Sequence, residues 1–289
     1  MTRFLLQMKK QTFIDLDESS TNEINFIIVG KPNSGKSTLF NNLLKEDISP
    51  TGDEYGLTKT LFTNSFDFKD IKFVIHDTPG LRRKNKIYDK DETSRNQKVL
   101  KLINKIDAAL LLIDATENFT KQDFRIADLA LDRKKILFIL FNKFDLIEEK
   151  KRFRSDIEHF LETNYSQHKE INIDYISALS NKNIDSILSK ISNKHNLLKK
   201  RIDKNKLNNF LKELQNNNKL PRVKSVEIKP KYMVQTDNQL LSFKVFINSK
   251  KRAPKIFTRF FENQFRKKFS LIGVPINLSF ISSSNPYSS

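Results

Sequence analysis

Residues 24–38, INFIIVGKPNSGKST, constrain this chain more than any other stretch. An apolar run from Ile24 to Val29 meets Gly30, and a polar loop then closes on Gly35, Lys36, Ser37 and Thr38 ahead of the helix-like LFNNLL. The pattern G-x-x-x-x-G-K-S between a strand and a helix is the context of a phosphate-binding loop. Glycines let successive backbone N–H groups turn inward on phosphate oxygens. The following helix presents its positive end to the same anion. Lys36 can then reach the terminal phosphates, and the Ser37 hydroxyl can hold Mg²⁺. Lys31, Pro32, Asn33 and Ser34 complete the loop and are expected to line the nucleotide with it.

The next motifs arrive in the order a nucleotide site needs. KEDISPTGDEYGLTKT has no periodicity and reads as a mobile loop, and LFTNSFDF alternates as a half-buried edge strand. IKFVIHDTPG is a buried strand ending in Asp77, Thr78, Pro79 and Gly80. Asp77 at that strand end can hold Mg²⁺ through water, and the Gly80 N–H can approach a γ-phosphate. AALLLID and ILFILFN are continuous apolar runs typical of central parallel strands. SRNQKVLKLINK, KQDFRIADLAL and KRFRSDIEHFLETN have helical spacing, so strand and helix alternate as in a doubly wound α/β sheet. Asn142, Lys143, Phe144 and Asp145 form N-K-x-D at the end of ILFILFN. A carboxylate there can accept from both N1–H and the 2-amino group of guanine, which adenine cannot offer. In DYISALS, Ser177 and Ala178 can place a backbone N–H near the guanine O6.

At 289 residues the chain should hold about two domains. It has no cysteine, so disulfides and thiolate metal sites are excluded, and the four histidines are scattered without a metal-ligand pattern. There is neither a membrane-length apolar run nor the apolar core of a signal peptide, which together with the lack of thiols fits a cytoplasmic protein. The charge is uneven. Residues 192–289 hold 21 Lys+Arg against 5 Asp+Glu, or +16 of the total +18. A near-neutral half joined to a strongly basic half points to a polyanion partner, RNA or an anionic membrane surface. In that half, residues 192–220 read as a basic helical connector stopped by Pro221. VKSVEIKPKYMVQ and LLSFKVFIN read as strands around a TDNQ turn, APKIFTRFFENQFRKKF as an amphipathic helix and VPINLSFIS as a last strand. The order α-β-β-α-β suits a small α+β K-homology-like domain, and the helix's Phe257, Phe260, Phe261 and Phe265 read as core rather than as stacking platforms. The expected divisions are an N-terminal segment and linker at 1–23, a G domain at 24–195, the K-homology-like domain at 196–282 and a disordered tail at 283–289.

GKPNSGKSTLFNNLL, DTPGLRRKNKI, LLIDATENFTKQDFRIADLA, FNKFDLI, KYMVQ, SFKVFIN and RFFENQFRKKFSLIGVPINLSF together resemble the Der (EngA) family of bacterial ribosome-assembly GTPases. The resemblance covers about residues 20–282. It implies a P-loop NTPase fold, binding of GTP and GDP with Mg²⁺, ribosomal RNA and the large (50S) ribosomal subunit as partners with no membrane, and action as a cytoplasmic monomer. Family members carry two GTPase domains before the K-homology-like domain. This sequence has one, and it resembles the second. The first switch of the family reads G-T-T-R-D, where this chain has Gly56-Leu57-Thr58-Lys59-Thr60; Thr58 is the Mg²⁺ ligand the resemblance implies. Residues 245–260 contain no glycine, so clamping of RNA by a GxxG loop is not expected.

Leu81 follows D-T-P-G where Ras-type enzymes place a water-orienting glutamine, so unaided hydrolysis should be slow. In a resembling group of GTPases a phosphate-loop asparagine holds K⁺ to compensate, and Asn33 has that position. Catalysis then rests on Lys36, Thr58, Asp77 and Gly80, with segments 47–60 and 80–92 as the switches that reposition the basic domain. Two readings result. One is a GTP-hydrolysing factor in late assembly of the large subunit; the other is a nucleotide-binding, hydrolysis-poor ribosomal-RNA-binding module. An RNA-modification or membrane-associated GTPase is weakened by the missing terminal cysteine and membrane segments.

Overall fold

The computed structural model describes residues 23–45, 63–76, 102–117, 125–165, 171–217, 220–223, 226–236, 241–249 and 253–282. Six strands form the first sheet: β1 (Glu23–Val29), β2 (Thr63–Phe68), β3 (Ile71–His76), β4 (Ala108–Asp114), β5 (Ile136–Asn142) and β6 (Ile171–Tyr175), in the order β2-β3-β1-β4-β5-β6. All neighbours are parallel except β2, which joins β3 antiparallel as the expected edge strand. Every residue of β4 and β5 is buried, because helices cover both faces of a parallel sheet. The pleat sorts β1 between two cores. Ile24, Phe26 and Ile28 face the layer of α1 (Lys36–Lys45) and α4 (Ile184–Leu198), while Ile27 and Val29 face that of α2 (Arg125–Asp132), α3 (Lys150–Tyr165) and a helical turn at 102–105. This is the doubly wound α/β architecture the alternation predicts.

The basic half builds its own core. Helix α5 (Lys204–Asn217) is followed by a short antiparallel pair, β7 (Arg222–Val223) and β8 (Val226–Glu227), then β9 (Pro230–Gln235), β10 (Leu241–Ile247), α6 (Lys255–Phe269) and β11 (Ile276–Ser282). The three long strands stand in the order β11-β10-β9, with β10 parallel to β11 and antiparallel to β9. Phe257, Phe261 and Phe265 are fully buried against Phe210 and Phe243, and Phe260 packs at the margin, so this spacing is core. Residues 192–220 depart from a single connector. One helix ends at Leu198 and a second begins at Lys204, where the Asp203 carboxylate accepts from the N–H groups of Asn205 (2.8 Å) and Lys206 (3.2 Å). Leu207, Phe210, Leu211 and Leu214 of α5 lie inside the second core, and burial of that stripe makes the segment part of the domain.

The two halves meet at β6, the sheet edge opposite β2. The Asn172 amide donates to the Leu137 carbonyl and to the Gly273 carbonyl, each at 2.9 Å, and Lys200 donates to the Phe269 carbonyl at 3.1 Å. Arg266, fully buried, shapes the docking loop by donating to the Leu271 and Val274 carbonyls while pairing with Glu262. Gly273 has φ +75°, and a Cβ there would fall 2.0 Å from Asn172 Oδ1, so only glycine permits the approach. Helix α4 runs through the expected boundary at 195/196, and its Leu198 packs on both the first and the last core.

Candidate functional site

The phosphate loop leaves the carboxyl end of β1 at the middle of the sheet, where crevices open between strand ends. Gly30 (φ +151°) and Gly35 (φ +96°) are both conformations and approaches that a side chain would block. A Cβ on Gly30 would lie 2.2 Å from the Leu112 carbonyl oxygen, and one on Gly35 would lie 2.1 Å from Asn142 Nδ2. Asn33 is left-handed at φ +65°, so its residue type has a backbone reason apart from any ion. Helix α1 begins at Lys36, and the Leu39 N–H donates to the Gly35 carbonyl at 2.9 Å. The Lys36 ammonium donates to the Lys31 carbonyl across the loop, and burial holds its pKa below the usual lysine value. Ser34 is buried and its hydroxyl has no partner among the described residues. An orphaned hydroxyl, a lysine folded onto a carbonyl and two obligatory glycines suit a loop whose remaining partners are phosphate oxygens.

Asn142 ends β5 and is the tie of the site. Its Nδ2 donates to the Ser34 carbonyl at 2.9 Å and its Oδ1 accepts from the Ala178 N–H at 2.8 Å. One 2 %-exposed amide therefore joins the phosphate loop to the loop after β6. Asn42 of α1 grips the other side of the same residue by donating to the Ala178 carbonyl. Both polar atoms of Asn142 are thus consumed by backbone, and the Ala178 N–H is engaged too. Among the described residues, the next backbone donor, the Leu179 N–H, has no partner, and that residue is 85 % exposed. Ser177 is buried; its backbone pairs with Lys182 and its hydroxyl accepts from the Ser180 N–H at 3.4 Å.

Lys143 adopts φ +60° and leads into a 3₁₀ turn, Phe144–Leu146. The turn exposes Asp145, whose carboxylate makes no hydrogen bond among the described residues, while Phe144 sinks into the core against Tyr175. The Lys143 ammonium pairs with Asp114 at the end of β4. Burial works against ionising Asp114, but hydrogen bonds from Lys143 and from the Thr116 hydroxyl (2.7 Å) and N–H (3.0 Å) outweigh it and hold the carboxyl below its usual range. Asn42 and Asp114 are the participants that sequence reasoning passes over. Asn42 looks like one more polar position in LFNNLL, and only the position of Asp114, level with Asn142 across β4 and β5, signals its part.

The structure thus brings together Gly30, Asn33, Ser34, Gly35, Lys36, Asn142, Lys143, Asp145, Ser177 and Ala178. Thr58, Asp77, Thr78, Pro79, Gly80 and Leu81, with both expected switches, lie outside the described residues. Among the described residues no cluster of three or more His, Asp or Glu could hold a metal, and no helix is long and apolar enough to cross a membrane.

Residues 25–143 match the family described as 50S ribosome-binding GTPase, and residues 201–280 match the KH-domain-like C-terminal domain of EngA bacterial GTPase enzymes. The chain is 32 % identical over 268 residues to GTPase Der of Brucella ovis, covering 93 % of this chain and 56 % of that one. With GTPase Der of Finegoldia magna the identity is 33 % over 263 residues, covering 91 % and 60 %. The chain therefore spans little more than half the length of these relatives. A crystal structure of Era with MgGDPNP and a segment of 16S ribosomal RNA aligns over 90 % of this chain and 92 % of its own, at 23 % identity and a TM-score of 0.45. The chain thus carries a match to the 50S ribosome-binding GTPase family followed by a match to the KH-like domain of EngA enzymes, and it is similar to GTPase Der over 93 % of its length.

Proposed function

We propose that this protein binds and hydrolyses GTP and acts in late assembly of the large ribosomal subunit. The observation that carries the nucleotide reading is the Asn142 tie, which sets the phosphate loop and the base loop in one rigid frame with the Asp145 carboxylate left open beside it. Asp145 then accepts from two guanine N–H groups, and the Leu179 N–H, rather than that of Ala178, is the donor open to O6. Lys36 moves from the Lys31 carbonyl to the β- and γ-phosphates, and the Ser37 hydroxyl with Thr58 and Asp77 is the ligand set for Mg²⁺. When bound, that ion supplies charge neutralisation at the phosphates. Asn33 is the protein ligand for K⁺, whose charge would offset the absence of a glutamine at Leu81. Large-subunit work is supported by the description of the matched GTPase family and by the +16 charge of residues 192–289. A cytoplasmic monomer is the accompanying expectation.

The competing reading, an RNA-binding module that turns over GTP negligibly, is favoured by Leu81 and by Leu57 and Lys59 in the first switch. One experiment separates them. The protein is titrated with a fluorescent GDP analogue and Mg²⁺, and hydrolysis is then followed in K⁺ and in Na⁺, with and without large subunits. Guanine-selective binding with turnover raised by K⁺ and by subunits supports the first reading. Equal rates in the two salts remove Asn33 as an ion ligand, and binding without turnover leaves the second reading standing.

A further inference from the structure

The outer face of the three-stranded sheet carries a row of side chains that neither core uses. The register sets Tyr232 of β9, Phe246 of β10 and Ile281 of β11 side by side, each partly exposed. The Tyr232 and Phe246 rings stand 6.0 Å apart, inclined at 43°. The next row holds Val234, Lys244 and Ser279, with Lys244 and Ser279 exposed. Helices α5 and α6 fill the opposite face, where Met233, Phe243, Val245 and Phe280 meet Phe210, Phe257 and Phe261. The three strands contain two lysines and no carboxylate. The Lys204 ammonium lies 5.4 Å from the Tyr232 ring, adding charge at the rim.

We propose that this outer face, centred on Tyr232 and Phe246 with Lys244 and Lys204 beside them, is a stacking platform for unpaired bases of single-stranded RNA. The inference rests on the RNA reading of the basic half and gives it a place. A pair of rings on adjacent strands presents π-faces at the spacing of a sheet, to which bases stack without regard to sequence. Lysines without any competing carboxylate receive the phosphates that accompany those bases. A cleft clamped by a GxxG loop is not available to this chain, since residues 245–260 contain no glycine. A duplex, whose bases are stacked inside, has nothing to offer the two rings.

The full chain is titrated with a short fluorescent single-stranded RNA and with a duplex of equal length, at several salt concentrations. The variants are Tyr232→Leu and Phe246→Leu, which keep an apolar cross-strand contact, and Lys244→Gln; native-like urea unfolding and resistance of the basic half to limited proteolysis certify their folding. Each leucine variant should weaken single-strand binding about tenfold, the size of one lost base stack, with the salt dependence preserved. Lys244→Gln should lower the salt slope by about 0.7, one phosphate's share. Wild-type affinity in both leucine variants, or wild-type preference for duplex, overturns the platform while the RNA reading survives. Failure of the wild-type chain to bind either RNA overturns both. Leucine variants that alter self-association in sedimentation but not RNA affinity would make the face an interface between copies and would equally overturn the platform.

Discussion

Replacing Asn142 by aspartate changes one atom in the tie and tests the geometry directly. The Nδ2–H that donates to the Ser34 carbonyl at 2.9 Å is lost, while the oxygen that accepts from the Ala178 N–H at 2.8 Å is retained. An unsatisfied buried carbonyl costs about 1–3 kcal/mol. A carboxylate at a site only 2 % exposed adds a desolvation cost, which appears as a raised pKa at about 1.4 kcal/mol per unit. The expected loss is about 2–4 kcal/mol at pH 7.5 in urea unfolding. Acid should reverse part of it. Once protonated, the new carboxyl can donate its O–H to the Ser34 carbonyl again. Its folded pKa lies above the unfolded one, so the deficit relative to the native protein shrinks as pH falls through the raised value and is smallest below the ordinary aspartate value of about 3.9. Because the same tie sets the phosphate loop against the base loop, GDP affinity should fall about tenfold. Asn142→Ala, which abandons both the Ser34 carbonyl and the Ala178 N–H, should show no such recovery in acid. An Asn142→Asp variant within about 0.5 kcal/mol of the native protein at pH 7.5, with unchanged GDP affinity, would refute the reasoning.

Three further outcomes are expected. Gly273→Ala places a Cβ 2.0 Å from Asn172 Oδ1 at φ +75°, so it should cost about 1–3 kcal/mol and expose the joint between the halves to limited proteolysis; native-like resistance would show that the joint is not tight. His76 and His195 are buried with one ring nitrogen of each unpartnered among the described residues. Burial, then Lys105, pulls His76 below the ordinary 6.5 against Glu23 and Asp107; burial also leads at His195, where Asp107 opposes it and Lys199 adds to it. A lowered histidine favours the neutral folded form, so stability is full above about pH 6.5 and falls as the pH drops below it, by at most about 1.4 kcal/mol per pH unit for each residue. Urea melts from pH 8 to 5 should show that slope, and the slope should flatten in His76→Asn/His195→Gln; a slope unchanged in the double variant would exclude these groups. Asp145→Ala should weaken GDP binding far more than ADP binding, and equal losses would remove Asp145 from base recognition.

Much of the first half was legible because its signals are local. A glycine-rich loop between an apolar run and a helix, and two six-residue apolar runs each closed by a polar residue, specify β1, α1, β4 and β5 with their loops, since burial on both faces of a parallel strand demands an unbroken apolar string. The phenylalanine spacing of α6 likewise announced a core stripe. The break at 199–203 was hidden, because residues 192–220 are uniformly basic and asparagine-rich and the capping Asp203 is one polar residue among many.

Fold class, the order of the motifs and the residue types available to phosphate and guanine are all written in short runs whose spacing follows the helix and strand periods, and so could be read from the chain alone. Which of those residues the protein itself holds emerges only when the strands are assembled. The Asn142 amide joins partners 108 and 36 residues away in the chain, Asp114 reaches Lys143 from the neighbouring strand, and Asn172 meets Gly273 from the other half. Such pairings depend on strand order and register, which no local pattern encodes.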